Sequence, residues 1–76
     1  MNNKIRDFLS KNKNIDALSD DDDLFKNGFV DSLFALQLIM FLEREYKIRI
    51  PDEKITEDNF RSINAIINTL TSILNV

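Results

Sequence analysis

Gly28 and Pro51 are the only glycine and the only proline in 76 residues. A chain so poor in turn formers cannot supply the many tight turns of an all-β fold. Nothing between these two residues interrupts a helix. Asp31 is a good N-cap, and Ser-Leu-Phe-Ala-Leu-Gln-Leu-Ile-Met-Phe-Leu-Glu-Arg-Glu-Tyr follows it. Before Pro51, Ile48-Arg49-Ile50 alternates like a short extended piece, and the proline pushes Ile50 away from helical angles.

Two further amphipathic stretches flank this helix. Ile5, Phe8 and Leu9 lie at i, i+3, i+4, with Asn2 or Asn3 placed to cap them. Near the chain's end, Ile63, Ile66, Ile67, Leu70, Ile73 and Leu74 form one stripe after a Ser62 cap. Thr56 can cap a short helix ending near Phe60. No period holds from about Asn14 to Val30, but the apolar residues there predict a loop packed onto the body, with a turn near Asp22–Phe25. The reading is a small all-α fold, one domain over residues 1–76, with three substantial helices, a short one third in order, and a long loop between the first two. The expected core is Ile5, Phe8, Leu9, Leu38, Ile39, Leu42, Tyr46, Ile50, Phe60, Ile63, Ile66, Ile67, Leu70 and Leu74.

Composition removes most enzyme classes. Without Cys there is no disulfide and no thiolate zinc site, and without His the commonest general base and imidazole ligand are gone. No metal site is expected. Asp20–Asp23 does not make a calcium loop, because with Gly28 at the sixth position Phe25 would fall at the third. A solvated acidic loop that steers basic partners is the simpler account. Glu43 and Glu45 are two apart on a helix, so they read as surface charge rather than a working pair. The net charge of −3 gives no basic excess for nucleic acid. Its distribution is uneven: residues 1–13 carry Lys4, Arg6, Lys11 and Lys13 against Asp7, whereas residues 14–35 carry Lys26 against six aspartates. The polar start does not resemble a signal peptide, and Leu33–Leu42 is too short to cross a membrane, so a cytoplasmic, monomeric protein with no membrane partner is expected.

The central helix has two unlike faces. At 100° per residue, Ala35, Leu38, Ile39, Leu42 and Tyr46 cluster toward the core, with Leu36 at the border. The opposite side holds Leu33, Phe34, Gln37, Met40, Phe41 and Arg44. The loop could cover Phe34, but Leu33, Met40 and Phe41 together read as an exposed docking patch rimmed by Gln37, Arg44 and Lys47. Ser32 follows the cap directly, where free N–H groups and the positive end of the helix dipole favour a phosphate.

Gly28-Phe-Val-Asp31-Ser32-Leu33 resembles the phosphopantetheine attachment motif of acyl carrier proteins. Leu38–Tyr46 looks like that family's second helix, Ile48–Pro51 like the segment after it, and Asn59–Ile66 like the entry to its last helix, so the resemblance covers nearly the whole chain. It implies a four-helix acyl-carrier bundle that carries cargo and does not catalyse. Ser32 would take 4′-phosphopantetheine covalently from coenzyme A, through a separate phosphopantetheinyl transferase. The thiol of that arm, which a chain without Cys cannot supply itself, would hold an acyl or aminoacyl group as a thioester. Asp31 would contribute to transferase recognition. Leu33, Phe34, Gln37, Met40, Phe41 and Ile55 would meet partners, including the enzymes that load and accept the acyl group.

Fatty-acid carriers usually bear acids just after this serine, where Phe34 and Gln37 stand here. The resemblance therefore points to a free-standing carrier of a specialised biosynthetic pathway. From another class, the same residues allow an unmodified helical interaction module that docks through the second helix, with Ser32 only a helix-start residue.

Overall fold

The structure, a computed structural model, describes residues 1–75. Its α-helices are α1 (Asn2–Ser10), α2 (Ser32–Tyr46) and α3 (Ile63–Leu74). Two single 3₁₀ turns, Asp52–Lys54 and Asp58–Phe60, lie between α2 and α3. Among the described residues there is no strand. The expected short third helix is thus replaced by these two turns. Pro51 enters them in an extended conformation, and Ile55, at φ −85° and ψ 78°, leaves the helical region between them. The Asn59 side chain donates to the Lys54 carbonyl at 2.8 Å and ties the turns together. Thr56 still does the work of a cap, its hydroxyl accepting from the Asn59 N–H at 3.2 Å.

The three helices close on a core of Ile5 and Leu9, of Leu38, Ile39 and Leu42, and of Ile63, Ile66 and Leu70, completed by Ile50 and Phe60. Phe8, Tyr46 and Ile67 pack at its edge, half-buried. Leu74 is 43% exposed, because the last turn of α3 runs past the packed layer. Burial of Tyr46 raises its pKa, and its covered hydroxyl has no hydrogen-bond partner among the described residues. The ends of α2 and α3 are built as the sequence indicates: Asp31 and Ser62 accept from the N–H groups of Phe34 and Ala65, at 2.8 and 3.0 Å. At the start of α1 the expectation fails. Met1 occupies the cap position without a side-chain bond, and the Asn2 amide donates instead to Asp20 at 2.8 Å.

The loop between α1 and α2 is part of the core. Leu18, Leu24 and Val30 are buried, Leu24 completely. The Leu24 N–H donates to the Arg61 carbonyl at 2.7 Å, and the Leu24 carbonyl accepts from Phe29 and Val30 at 2.9 and 3.1 Å. Gly28 sits in the turn at φ +75°, a conformation that L side chains seldom adopt, and a Cβ there would meet Lys13 Nζ at 3.2 Å.

The aspartate run is structural rather than merely solvated. Asp20 pairs with Arg6 at 2.6 Å, Asp21 accepts from the Asn64 amide at 2.7 Å, and Asp22 from the Ser19 N–H at 2.9 Å. Asp23 accepts from the N–H groups of Phe25 and Lys26 and lies 3.5 Å from Arg61. Each carboxylate fastens the loop to itself, to α1 or to the start of α3. The two glutamates of α2 also have partners. Glu43 accepts from the Ile50 N–H at 2.9 Å, holding the exit from the helix, and Glu45 pairs with Lys4 at 2.8 Å. No helix among the described residues is long and apolar enough to cross a membrane.

Candidate functional site at the start of α2

The packed loop fixes where α2 begins. Val30 is buried, Asp31 turns the chain at φ −110° and ψ −176°, and Ser32 is the first helical residue. Asp31 Oδ1 is engaged by Phe34, and the Asp31 carbonyl accepts from Ala35 at 2.8 Å. Among the described residues the N–H groups of Ser32 and Leu33 have no acceptor, as expected of the first turn of a helix. α2 has no acid in its first turn, so Asp31 is the carboxylate closest in sequence to the helix's positive end. Ser32 itself is exposed, and no side chain among the described residues hydrogen-bonds its hydroxyl.

Beside Ser32 lies an open depression of about 430 Å³, lined by Phe25, Ala35, Leu36, Ile39, Ile55 and Phe60, with Thr56 and Glu57 at the same wall. Ile55, 39% exposed and distant in sequence, is brought to the same depression as Ser32 by the chain's path through the two 3₁₀ turns. Leu36, placed by the helical wheel at the core border, is 56% exposed and belongs to this site. It lines the depression together with Phe25 of the loop and Ile55 and Phe60 of the turns, and the open mouth of that depression leaves it exposed.

The outer face of α2 divides. Leu33 and Met40 are exposed, at 68% and 53%, and Gln37 is exposed too. Phe34 and Phe41 are not: both are half-buried, stacked on Phe8 with ring centroids 5.3 and 4.5 Å away. The expected exposure of Phe41 is therefore corrected, and the cover comes from α1 rather than from the long loop. Gln37, Met40 and Phe41 line a groove between α2 and α1, separate from the depression beside Ser32.

These features fit a phosphodiester-linked arm. An exposed hydroxyl with free neighbouring N–H groups can bear a phosphate, and an apolar depression beside it can receive a flexible chain. Among the described residues, no group of three or more acidic side chains is placed to hold a metal ion.

Comparison with known proteins agrees with this geometry. A family profile described as "Phosphopantetheine attachment site" matches residues 3–70. The aminoacyl carrier protein of Agrobacterium fabrum is 33% identical over 78 aligned positions, covering 97% of this chain and 93% of that protein. The D-alanyl carrier protein of Streptococcus sanguinis is 34% identical over 55 residues, covering 72% and 70%. That of Leuconostoc mesenteroides is 30% identical over 54 residues, covering 71% and 69%.

Proposed function

The chain belongs to the phosphopantetheine attachment family of carrier proteins, and from that premise we propose that Ser32 is its attachment point and that the chain works as a single carrier domain over residues 1–76. Proteins of this family carry covalent 4′-phosphopantetheine and are not enzymes; they work with a phosphopantetheinyl transferase and with acyl-handling enzymes. The arm supplies a thiol on which cargo is held as a thioester. The observation that carries the assignment is the position of Ser32: an exposed hydroxyl at the first residue of α2, directly after the Asp31 cap and inside the matched span.

The protein's own residues bind and orient. The unengaged N–H groups of Ser32 and Leu33 and the dipole of α2 favour a phosphate at this place. Asp31 keeps the first turn wound, so that the hydroxyl stands away from the body. On this reading removal of the Ser32 hydroxyl proton falls to the transferase. The apolar wall of Leu36, Ile39 and Ile55 gives the arm or its cargo partial shelter from water.

The relatives' names favour an amino acid as the cargo. The absence of acids at Phe34 and Gln37 favours a specialised pathway over fatty-acid synthesis. The same reading takes the chain to act as a monomer in the cytoplasm, where the transferase finds its coenzyme A.

The test is intact mass after incubation with coenzyme A and a broad-specificity phosphopantetheinyl transferase. The wild-type chain gains one arm, and Ser32→Ala, with an unchanged melting temperature, gains none. A wild-type chain that takes no arm would instead be the unmodified docking module. An arm on Ser32→Ala would place the attachment elsewhere.

A further inference from the structure

The groove between α1 and α2 differs in charge from the depression beside Ser32. Phe8, Phe41 and Met40 line its apolar part, Gln37 adds an amide, and Lys11 and Arg44 complete the lining. Lys11 Nζ lies 5.9 Å from the centroid of the Phe8 ring, so the ammonium stands over the aromatic floor. Neither Lys11 nor Arg44 has a carboxylate within 4.0 Å among the described residues. Among the described residues no acid lines this groove; Asp7 and Glu45 line the adjoining depression, which shares Phe8, Lys11 and Phe41 with it, and Glu45 is paired there with Lys4 at 2.8 Å. The depression beside Ser32 has the opposite character, with Glu57 its one charged lining residue. What sets the groove apart is that Lys11 and Arg44, without an ion-pair partner among the described residues, share one apolar lining.

We propose that the α1–α2 groove receives an acidic segment of a partner enzyme, one that places an aromatic or aliphatic side chain on Phe8 and Phe41 and carboxylates on Lys11 and Arg44. The occupant follows from complementarity. An apolar floor rewards an apolar side chain, and unpaired cations favour carboxylates and repel a basic segment. Met40 adapts the floor to the shape of what binds. The inference rests on the carrier reading, because a partner must dock beside α2 for cargo to move to or from Ser32. It sets the sign of that docking: the partner brings the acids and this chain the cations.

The experiment titrates ¹⁵N-labelled protein with the peptide acetyl-EFELE-amide at millimolar concentration, and separately with acetyl-KFKLK-amide. The acidic peptide shifts the amide signals of Lys11, Phe41 and Arg44. The basic peptide binds more weakly by about twofold to thirtyfold, the range set by two solvent-exposed ion pairs, and the difference shrinks in high salt. The double reversal Lys11→Glu with Arg44→Glu exchanges the preference. The neutral pair Lys11→Gln with Arg44→Gln abolishes it and serves if the reversal fails to fold. The proposal is overturned by equal response to the two peptides, by shifts confined to Leu36 and Ile55, or by a neutral pair that keeps the acidic preference. Intact mass after transferase treatment is scored in parallel. A wild-type chain that takes no arm refutes the attachment reading whatever the peptides do, and the peptides judge the groove whether or not an arm is added.

Discussion

The ring of Phe8 is stacked on the ring of Phe41, centroids 4.5 Å apart and planes inclined by 19°. Phe34 meets the other end of the same contact at 5.3 Å. A single side chain of α1 thus covers two aromatic residues of α2, while Met40 stays 53% exposed in the same groove. The outer face of α2 is narrower as a docking surface than its sequence suggests, and it is bordered by α1.

That contact has a measurable coupling. In a double-mutant cycle of Phe8→Leu and Phe41→Leu, the stacked pair contributes about 0.5–1.5 kcal/mol beyond the area it buries. Urea unfolding of the four proteins reads it. Additive single effects would show that the rings merely lie near each other.

Asp31→Ala costs about 0.5–2 kcal/mol by loss of the cap on the Phe34 N–H, and it slows attachment of the arm. Asp31→Asn separates two roles, since asparagine caps nearly as well but carries no charge. If stability survives in Asp31→Asn while the modification rate falls, the carboxylate itself is recognised by the transferase. If both survive, Asp31 only caps.

Leu42 and Met40 are two residues apart on α2 and comparably apolar, but Leu42 is fully buried and Met40 is 53% exposed. Leu42→Ala therefore costs about 2–5 kcal/mol, enough to threaten a domain of this size. Met40→Ala costs much less and weakens transfer to or from a partner enzyme. Thermal melts and a loading assay on both variants check the contrast. Equal destabilisation would mean that Met40 is covered in solution.

Hydrogen bonds from Arg6 and then Asn2 hold the Asp20 carboxyl below its ordinary pKa. A depressed carboxylate stabilises the fold fully above its unfolded pKa of about 3.9, and that contribution is lost as pH falls through the folded value. Asp20→Asn is accordingly less stable than wild type near neutrality, and the gap closes as the pH falls below about 4. Because the pair is partly exposed, the gap is small and shrinks with added salt. Urea midpoints across that range test it, and a gap that stays constant with pH would assign the effect to geometry rather than charge.

The sequence by itself determined the helical class, the limits of α2 and α3, and the position of Ser32. These follow from local chemistry. Asp31 and Ser62 cap whatever helix begins after them, apolar period selects the buried stripe, and the Gly28-to-Ser32 motif lies within five consecutive residues. The tertiary structure alone decided what depends on distant segments meeting. Only the packed chain shows that Asn2 leaves its capping position to bind Asp20, because the loop that carries Asp20 must first fold back on α1. Only it shows that the Asp20–Asp23 run ties loop to helices, that two 3₁₀ turns stand where one short helix was expected, and that Leu36 and Ile55 flank Ser32 while Phe41 is covered. A helical wheel assigns an angle to each side chain but not a neighbour. Whether Leu36 or Phe41 is buried depends on how closely another part of the chain packs on it: Phe8 stacks on Phe41, whereas Leu36 faces an open depression.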